Sequence, residues 1–178
     1  MSDMPAQRPT RTVANMPPDG RRYEVVDGAL IVTPSPGLRH QDVVFRLATL
    51  LDAASAGTRW HVVVGPFDVA LSEDTVLIPD IVVAPRGDFT EHDVQATSAL
   101  IVEVRTAQTA YMDARTKRDL YAASGVPFYW QVDPVEPSIT ALKLVDHRYA
   151  EDGRAAGTEH LDVKEPFPVR VAPKDLLS

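Results

Sequence analysis

The chain has 178 residues, no cysteine and a formal net charge of −7, with 44% hydrophobic and 24% charged residues. These values are typical of one water-soluble globular domain, and they exclude disulfides, thiolate nucleophiles and cysteine-bound zinc, so any metal must be held by oxygen or imidazole. Because non-specific nucleic-acid binding requires Lys and Arg to neutralise phosphates, the acidic charge also argues against a general nucleic-acid coat and leaves only local binding.

The N-terminal segment, residues 1–20, contains four prolines and little apolar periodicity. This composition predicts a flexible leader, followed by one domain over residues 21–178. The leader lacks the apolar core of a secretory signal, and no stretch of the chain reaches the roughly 18 apolar residues of a membrane-spanning helix. We therefore expect a cytoplasmic protein that does not associate with membranes.

A β-hairpin and a helix are the first predicted elements. Residues 23–26 and 29–32 are predicted strands that flank Asp27-Gly28, the two-residue signal for a type I′ turn. Apolar residues then repeat at helical spacing over residues 43–54. This pattern predicts a helix of about four turns with Ser35 as its N-cap.

A central mixed sheet is predicted from the middle of the chain. The apolar runs at residues 81–83 and 100–104 are nearly continuous, as in central strands covered on both faces. A helix over residues 110–124 and a strand over residues 128–132 then complete a strand–helix–strand crossover. Further strands are predicted at residues 60–64 and 67–71, and peripheral ones at residues 139–145 and 160–163, the last two separated by a Gly-rich polar loop.

Two carboxylates lie at the predicted central strands. Glu103 is inside an apolar run, where burial of a carboxylate costs several kcal/mol unless it is paired, protonated or bound to a metal. Asp80 opens the other apolar run. Two carboxylates with water in the remaining positions are ligands that Mg²⁺ or Mn²⁺ prefers, and such a centre is typical of phosphodiester hydrolysis.

Other polar side chains are candidates to complete this site. Asp113, Lys117 and Tyr121 share one face of the predicted second helix by four-residue spacing, so the lysine can approach a phosphate. Glu24 lies in the hairpin, and His40 lies on the apolar stripe of the first helix. The structural alternatives are a solvated strand face for Glu24 and a hydrogen-bonded helix start for His40.

Several short motifs follow one another along the chain. They are Tyr23-Glu24-Val25-Val26-Asp27-Gly28, Pro34-Ser35-Pro36 with Arg39-His40-Gln41, Pro79-Asp80, Ile101-Val102-Glu103-Val104, and Tyr121 through Gly125-Val126 to Tyr129-Trp130-Gln131-Val132-Asp133-Pro134. In this order they resemble the Uma2 family (DUF820), one branch of the PD-(D/E)XK nucleases. The resemblance extends from about Tyr23 to Val145.

The resemblance implies a restriction-endonuclease-like α/β fold, in which helices flank a central mixed sheet that follows an N-terminal β-hairpin. It also implies a metal-dependent endonuclease that acts on DNA, with Asp80 and Glu103 binding Mg²⁺ or Mn²⁺ and Lys117 near the scissile phosphate. Glu24 matches an early glutamate of the family, whereas His40 and Asp113 match polar positions. Nucleases of this fold often act as dimers, so we expect a homodimer.

One position departs from the family pattern. Family members usually have Glu-Val-Leu-Ser-Pro-Ser-Thr where this chain has Glu103-Val104-Arg105-Thr106-Ala107-Gln108-Thr109. By strand alternation Arg105 shares a face with Glu103, so its cation could hold phosphate, or pair with Glu103 and lower the metal affinity. The departure motivates a second hypothesis, a catalytically impaired nuclease-fold protein that binds nucleic acid or a protein partner.

Purely structural roles remain open for the same residues. Asp80 fits a turn or cap, Glu103 fits a buried ion pair with Arg105 or Lys117, and Lys117 fits a helical pair with Asp113. A third hypothesis follows, an interaction module in which the carboxylates only form ion pairs. Under this hypothesis, substitution of Asp80 would stabilise the protein or change little, whereas metal binding distinguishes the second hypothesis from a nuclease.

Overall fold

The computed structural model describes residues 22–33, 35–91, 93–94, 100–106 and 113–177, without the side chains of residues 22, 33 and 113–115. The predicted leader at residues 1–20 lies outside these residues. The described residues form 12 β-strands and two α-helices. The strands are β1 (Arg22–Val26), β2 (Ala29–Thr33), β3 (Trp60–Val64), β4 (Val69–Ser72), β5 (Thr75–Leu77), β6 (Ile81–Pro85), β7 (Leu100–Val104), β8 (Phe128–Asp133), β9 (Ser138–Val145), β10 (Arg148–Ala156), β11 (Leu161–Val163) and β12 (Val169–Val171), and the helices are α1 (Leu38–Ser55) and α2 (Asp113–Ala123).

The centre of the fold is a six-stranded mixed sheet in the order β10-β9-β8-β7-β6-β3. Strands β7 and β8 are parallel and are connected through α2, as expected of a crossover unit, whereas the other neighbours are antiparallel. The central strands β6 and β7 are almost entirely buried. The predicted α/β fold with a central mixed sheet is therefore confirmed.

A smaller antiparallel sheet has the order β2-β1-β5-β4. Its β1–β2 hairpin turns at Asp27 and Gly28, whose φ angles are 48° and 71°. Positive φ at both turn residues defines the type I′ turn, so the predicted hairpin is confirmed. Val25 of β1 pairs with Val76 of β5, which places the hairpin beside the segment that leads into β6.

Both faces of the central sheet are covered. On one face, Leu47 of α1 and Val102 of β7 belong to one buried hydrophobic cluster. On the other face, Ile101 belongs to a second cluster with Tyr121 of α2 and Tyr129 of β8. Alternate residues of a strand point to opposite faces, so β7 contributes to both clusters, and its Glu103 shares the face covered by α2.

Three details differ from the sequence expectations. Ser35 is not the cap of α1, because the helix begins at Leu38 with Gly37 at the N-cap and no side-chain cap bond. The expected Gly-rich loop is instead strand β10, which pairs with β9 along its length and places Tyr149 and Ala155 in the buried interior. Strands β5 and β12 were not anticipated, since each has only three residues. Neither described helix has the length and apolar character needed to cross a membrane.

We predict that Leu47→Ala lowers the free energy of unfolding by about 2–5 kcal/mol, because the side chain is fully buried between α1 and the sheet. Phe45→Ala is the matched control, since Phe45 is on the same helix but 71% exposed. Its unfolding free energy should change by less than about 0.5 kcal/mol. Urea unfolding followed by circular dichroism measures both, and equal losses would contradict this packing of α1.

Candidate metal centre

Strand pairing brings the two predicted ligands together. In the antiparallel pair β6–β7, Ile81 is opposite Val102. Extending this register by one residue places Asp80 opposite Glu103. Residues directly opposite each other in an antiparallel pair are close neighbours. Asp80 therefore lies beside Glu103 where β6 begins and β7 ends.

Asp80 is held in place from two directions. Its Oδ2 accepts a hydrogen bond from the backbone N–H of Val104 at 2.8 Å and lies 3.2 Å from Nε2 of His40 on α1. The side chain is 12% exposed. Within the described part of the chain, Asp80 makes its side-chain contacts through Oδ2 alone. Oδ1 is thus the atom best placed to accept a further ligand.

Glu103 lies in a buried network of charges. Lys117 Nζ is 3.2 Å from Glu103 Oε1 and 2.8 Å from Glu24 Oε1, so one ammonium bridges two carboxylates. All three side chains are at most 15% exposed. Helical spacing places Lys117 on the inward face of α2, and from there its side chain contacts both β7 and β1. The three groups carry a net charge of −1 when all are ionised.

Glu24 is one of the most buried polar residues, at 4% exposure. The alternative of a solvated strand face is therefore wrong for Glu24. Besides Lys117, it accepts a hydrogen bond from the backbone N–H of Ile78 at 2.8 Å. Ile78 lies two residues before Asp80, so Glu24 fixes the segment that carries the other carboxylate.

Tyr121 contacts the site, although its sequence position indicated only its helix face and no specific role. Its hydroxyl donates to Glu103 Oε1 at 3.1 Å. Complete burial and, next, the negative charge of Glu103 raise the pKa of Tyr121 well above its ordinary value near 10. The phenol therefore stays protonated and remains a donor at neutral pH. The available signal was its position four residues after Lys117, on the same helix face.

Arg105 does not pair with Glu103, which was one of the two roles considered for it. Strand β7 ends at Val104, and the Arg105 guanidinium donates to Asp133 Oδ2 at 2.9 Å at the end of β8. Arg105 is 44% exposed. The residue that registers with Glu103 on β8 is Gln131, a second polar residue that was not anticipated. Helix α2 begins at Asp113, whose side chain lies outside the described residues.

The chemistry of the donor set suits a hard divalent cation. Carboxylate oxygens are the ligands that Mg²⁺ and Mn²⁺ prefer, and Mg²⁺ is commonly bound through only one or two carboxylates with water completing its shell. Asp80 and Glu103 supply such a pair. Among the described residues, no group of three or more His, Asp or Glu side chains is arranged to hold a metal. The fit is therefore to a two-carboxylate site rather than to an all-protein cage.

The family to which the chain belongs is shown by a match over most of its length. Residues 11–174 match the model of the family described as "Uma2: Putative restriction endonuclease". The chain belongs to the Uma2 family. The match covers more of the chain than the motifs from Tyr23 to Val145 that carried the resemblance. None of the curated proteins matches this Uma2 chain.

A solved structure has the same fold. It is described as "a putative nuclease belonging to DUF820" from Anabaena variabilis ATCC 29413, and it superposes on this Uma2 chain with a TM-score of 0.67 at 15% sequence identity. The alignment covers 92% of this chain and 93% of that chain. At this identity the similarity establishes the fold alone. Membership of the family described as "Putative restriction endonuclease" supports a nuclease.

We predict that Lys117→Met lowers the free energy of unfolding by about 3–5 kcal/mol, because it leaves Glu24 and Glu103 buried without their shared cation. Arg105→Met is the matched control, since it breaks an ion pair of a half-exposed arginine and should cost about 1 kcal/mol or less. Urea denaturation at neutral pH compares the two variants. Similar small losses would show that the buried network does not hold the fold together.

Proposed function

We propose that this Uma2 protein is a metal-dependent endonuclease that hydrolyses phosphodiester bonds of DNA. The observation that carries the proposal is the buried contact of Lys117 with Glu103 at the end of β7, where the N–H of the next residue, Val104, holds Asp80. Family membership supports the same reaction class. The established cost of burying charged groups makes this arrangement hard to explain by stability alone.

In the proposed centre, Asp80 and Glu103 hold Mg²⁺ or Mn²⁺. When bound, the cation supplies Lewis-acid polarisation of a phosphodiester oxygen. The chain's own contribution is to present the carboxylates in fixed positions. His40 and the Val104 N–H hold Asp80 Oδ2, so Oδ1 can face the cation without a rotation of the side chain.

Lys117 is proposed to stabilise the negative charge that develops on the phosphodiester during hydrolysis. Preorganised cations in a site with little water are well suited to this role. The contact with Glu24 at 2.8 Å is shorter than that with Glu103 at 3.2 Å. Glu24 can therefore retain Lys117 in position when Glu103 turns toward a cation, and we assign Glu24 the role of a positioning residue.

Tyr121 is also proposed as a positioning residue. Its hydroxyl donates to the same Glu103 oxygen that contacts Lys117. Because its pKa is raised by burial and by the charge of Glu103, this donor does not ionise at the pH of the reaction. The hydrogen bond can thus orient Glu103 whether or not the lysine contact is made.

A catalytically impaired protein that binds nucleic acid is the second candidate. The observation that favours it is that Lys117 and Tyr121 both bond the Glu103 carboxylate. A network that is already satisfied resists the rearrangement that a cation requires. Metal binding and cleavage therefore separate the two candidates.

We predict that the wild type cleaves plasmid DNA with Mg²⁺ or Mn²⁺ and not with EDTA, and that Asp80→Asn and Glu103→Gln each lower the rate at least about 100-fold. Isothermal titration should show weaker metal binding in both variants. Asp52→Asn, at an exposed position of α1, is the control and should behave as wild type. Lys117→Met should slow cleavage while metal binding persists.

A wild type that neither binds metal nor cleaves DNA would overturn the nuclease proposal. Retained DNA binding in that protein would then support the second candidate. Cleavage that survives both Asp80→Asn and Glu103→Gln would instead show that the active centre lies elsewhere. Thermal melting of each variant confirms that the comparison is made on folded protein.

A further inference from the structure

A cleft of about 650 Å³ lies on the outer side of α2, away from the proposed metal centre. One wall is α2, with Arg118 and Asp119. The other wall is the turn between β9 and β10, with His147 and Arg148. Two arginines from separate elements therefore converge on one cavity.

The positive charge of this cleft is not neutralised by ion pairs. Among the ion pairs of the described residues, none involves Arg118, Arg148 or Asp119. With two arginines and one carboxylate, the lining is positive even when His147 is neutral. The whole chain carries a net charge of −7, so this positive spot opposes the average charge of the surface.

Arg118 is held in position before any ligand arrives. Its Nη2 donates to the backbone carbonyl of Tyr149 at 3.3 Å, and its side chain is half-buried. One of its five N–H groups is thus used to fix the guanidinium, while the rest of the fork remains suited to planar, bidentate recognition of an oxyanion. Preorganisation of this kind reduces the entropy lost on binding.

The opposite wall is a tight turn made without glycine. Asp146 and His147 have φ angles of 48° and 61°, in the left-handed region that side chains other than glycine seldom adopt. This two-residue connection places His147 and Arg148 at the mouth of the cleft.

We propose that the cleft between α2 and the β9–β10 turn binds a phosphate group, with Arg118 and Arg148 as its main ligands. The phosphate comes from a nucleic-acid backbone or from a free phosphate. A guanidinium can contact a phosphate through two parallel N–H···O hydrogen bonds.

The position of the cleft favours the backbone of the nuclease substrate, and this step depends on the proposed function. Lys117 at the metal centre and Arg118 in the cleft are consecutive on α2, so their side chains leave the helix about 100° apart. Three strand spacings separate β7 from β10, and Arg148 pairs with Val145, five residues along β9 from Thr140, which is in the row of Glu103, so the two sites are roughly 22 Å apart. That span corresponds to roughly six nucleotides along one B-form strand. The cleft would anchor the strand beyond the scissile phosphate.

The test measures binding of a fluorescein-labelled 20-nucleotide DNA, single- and double-stranded, by anisotropy in EDTA. We expect Arg148→Glu and Arg118→Met each to weaken binding about tenfold and to reduce the slope of log affinity against log salt by about one. Arg46→Glu is the matched control, an exposed arginine of α1, the helix that covers the opposite face of the sheet. It should change affinity much less.

A second arm titrates inorganic phosphate into the same proteins by calorimetry. Phosphate binding that Arg148→Glu abolishes, with DNA binding unchanged, would assign the cleft to free phosphate. Equal effects of Arg148→Glu and Arg46→Glu on DNA, without phosphate binding to the wild type, would overturn the proposal. Metal titration keeps the two proposals separate, because the cleft variants should bind Mg²⁺ as wild type does, whereas failure of the nuclease proposal removes metal binding and cleavage from the wild type itself.

Discussion

The buried ammonium of Lys117 is the contact through which the separate parts of the fold are joined. It links α2 to β7 of the large sheet through Glu103 and to β1 of the small sheet through Glu24. Glu24 in turn receives the N–H of Ile78, which leads into Asp80. Removing the Lys117 ammonium would leave Glu24 and Glu103 buried without their shared cation. It would also destabilise the segment before β6. The position of the small sheet therefore depends on a polar contact as well as on apolar packing.

Such a network is costly to bury, which bears on why it is present. Buried ion pairs are often no more stabilising than apolar side chains of similar volume, because each charge loses its hydration. Here the desolvation is offset by additional donors, namely the N–H groups of Ile78 and Val104 and the hydroxyl of Tyr121. These donors hold the carboxylates in fixed orientations. The same features that make the network expensive for folding make it suitable for binding a cation and a phosphodiester.

Much of this arrangement could be predicted from local sequence patterns. A single carboxylate in the apolar run of β7, a second at the start of β6 and a lysine at the inward helical position each follow from strand or helix periodicity. The burial of Glu24 could not, because it depends on the pairing of β1 with β5, a contact between distant parts of the chain. Strand β10 was also missed, since an edge strand with exposed Glu151, Asp152 and Arg154 lacks the apolar alternation that identifies strands.

Arg105 illustrates how a change in a motif can leave a site intact. Its guanidinium donates a hydrogen bond to Asp133, the residue opposite Arg105 when the parallel register of β7 and β8 is extended by one residue. Asp133 also accepts hydrogen bonds from the backbone N–H groups of Val135 and Glu136, which hold its carboxylate in place independently of Arg105. Arg105, at the position that departs from the family motif, therefore stabilises the connection after β8. The cation that contacts Glu103 is Lys117 of α2. Lys117 on α2 is held by Glu24 of the small sheet and Glu103 of the large sheet. This arrangement does not require a lysine on β7 itself.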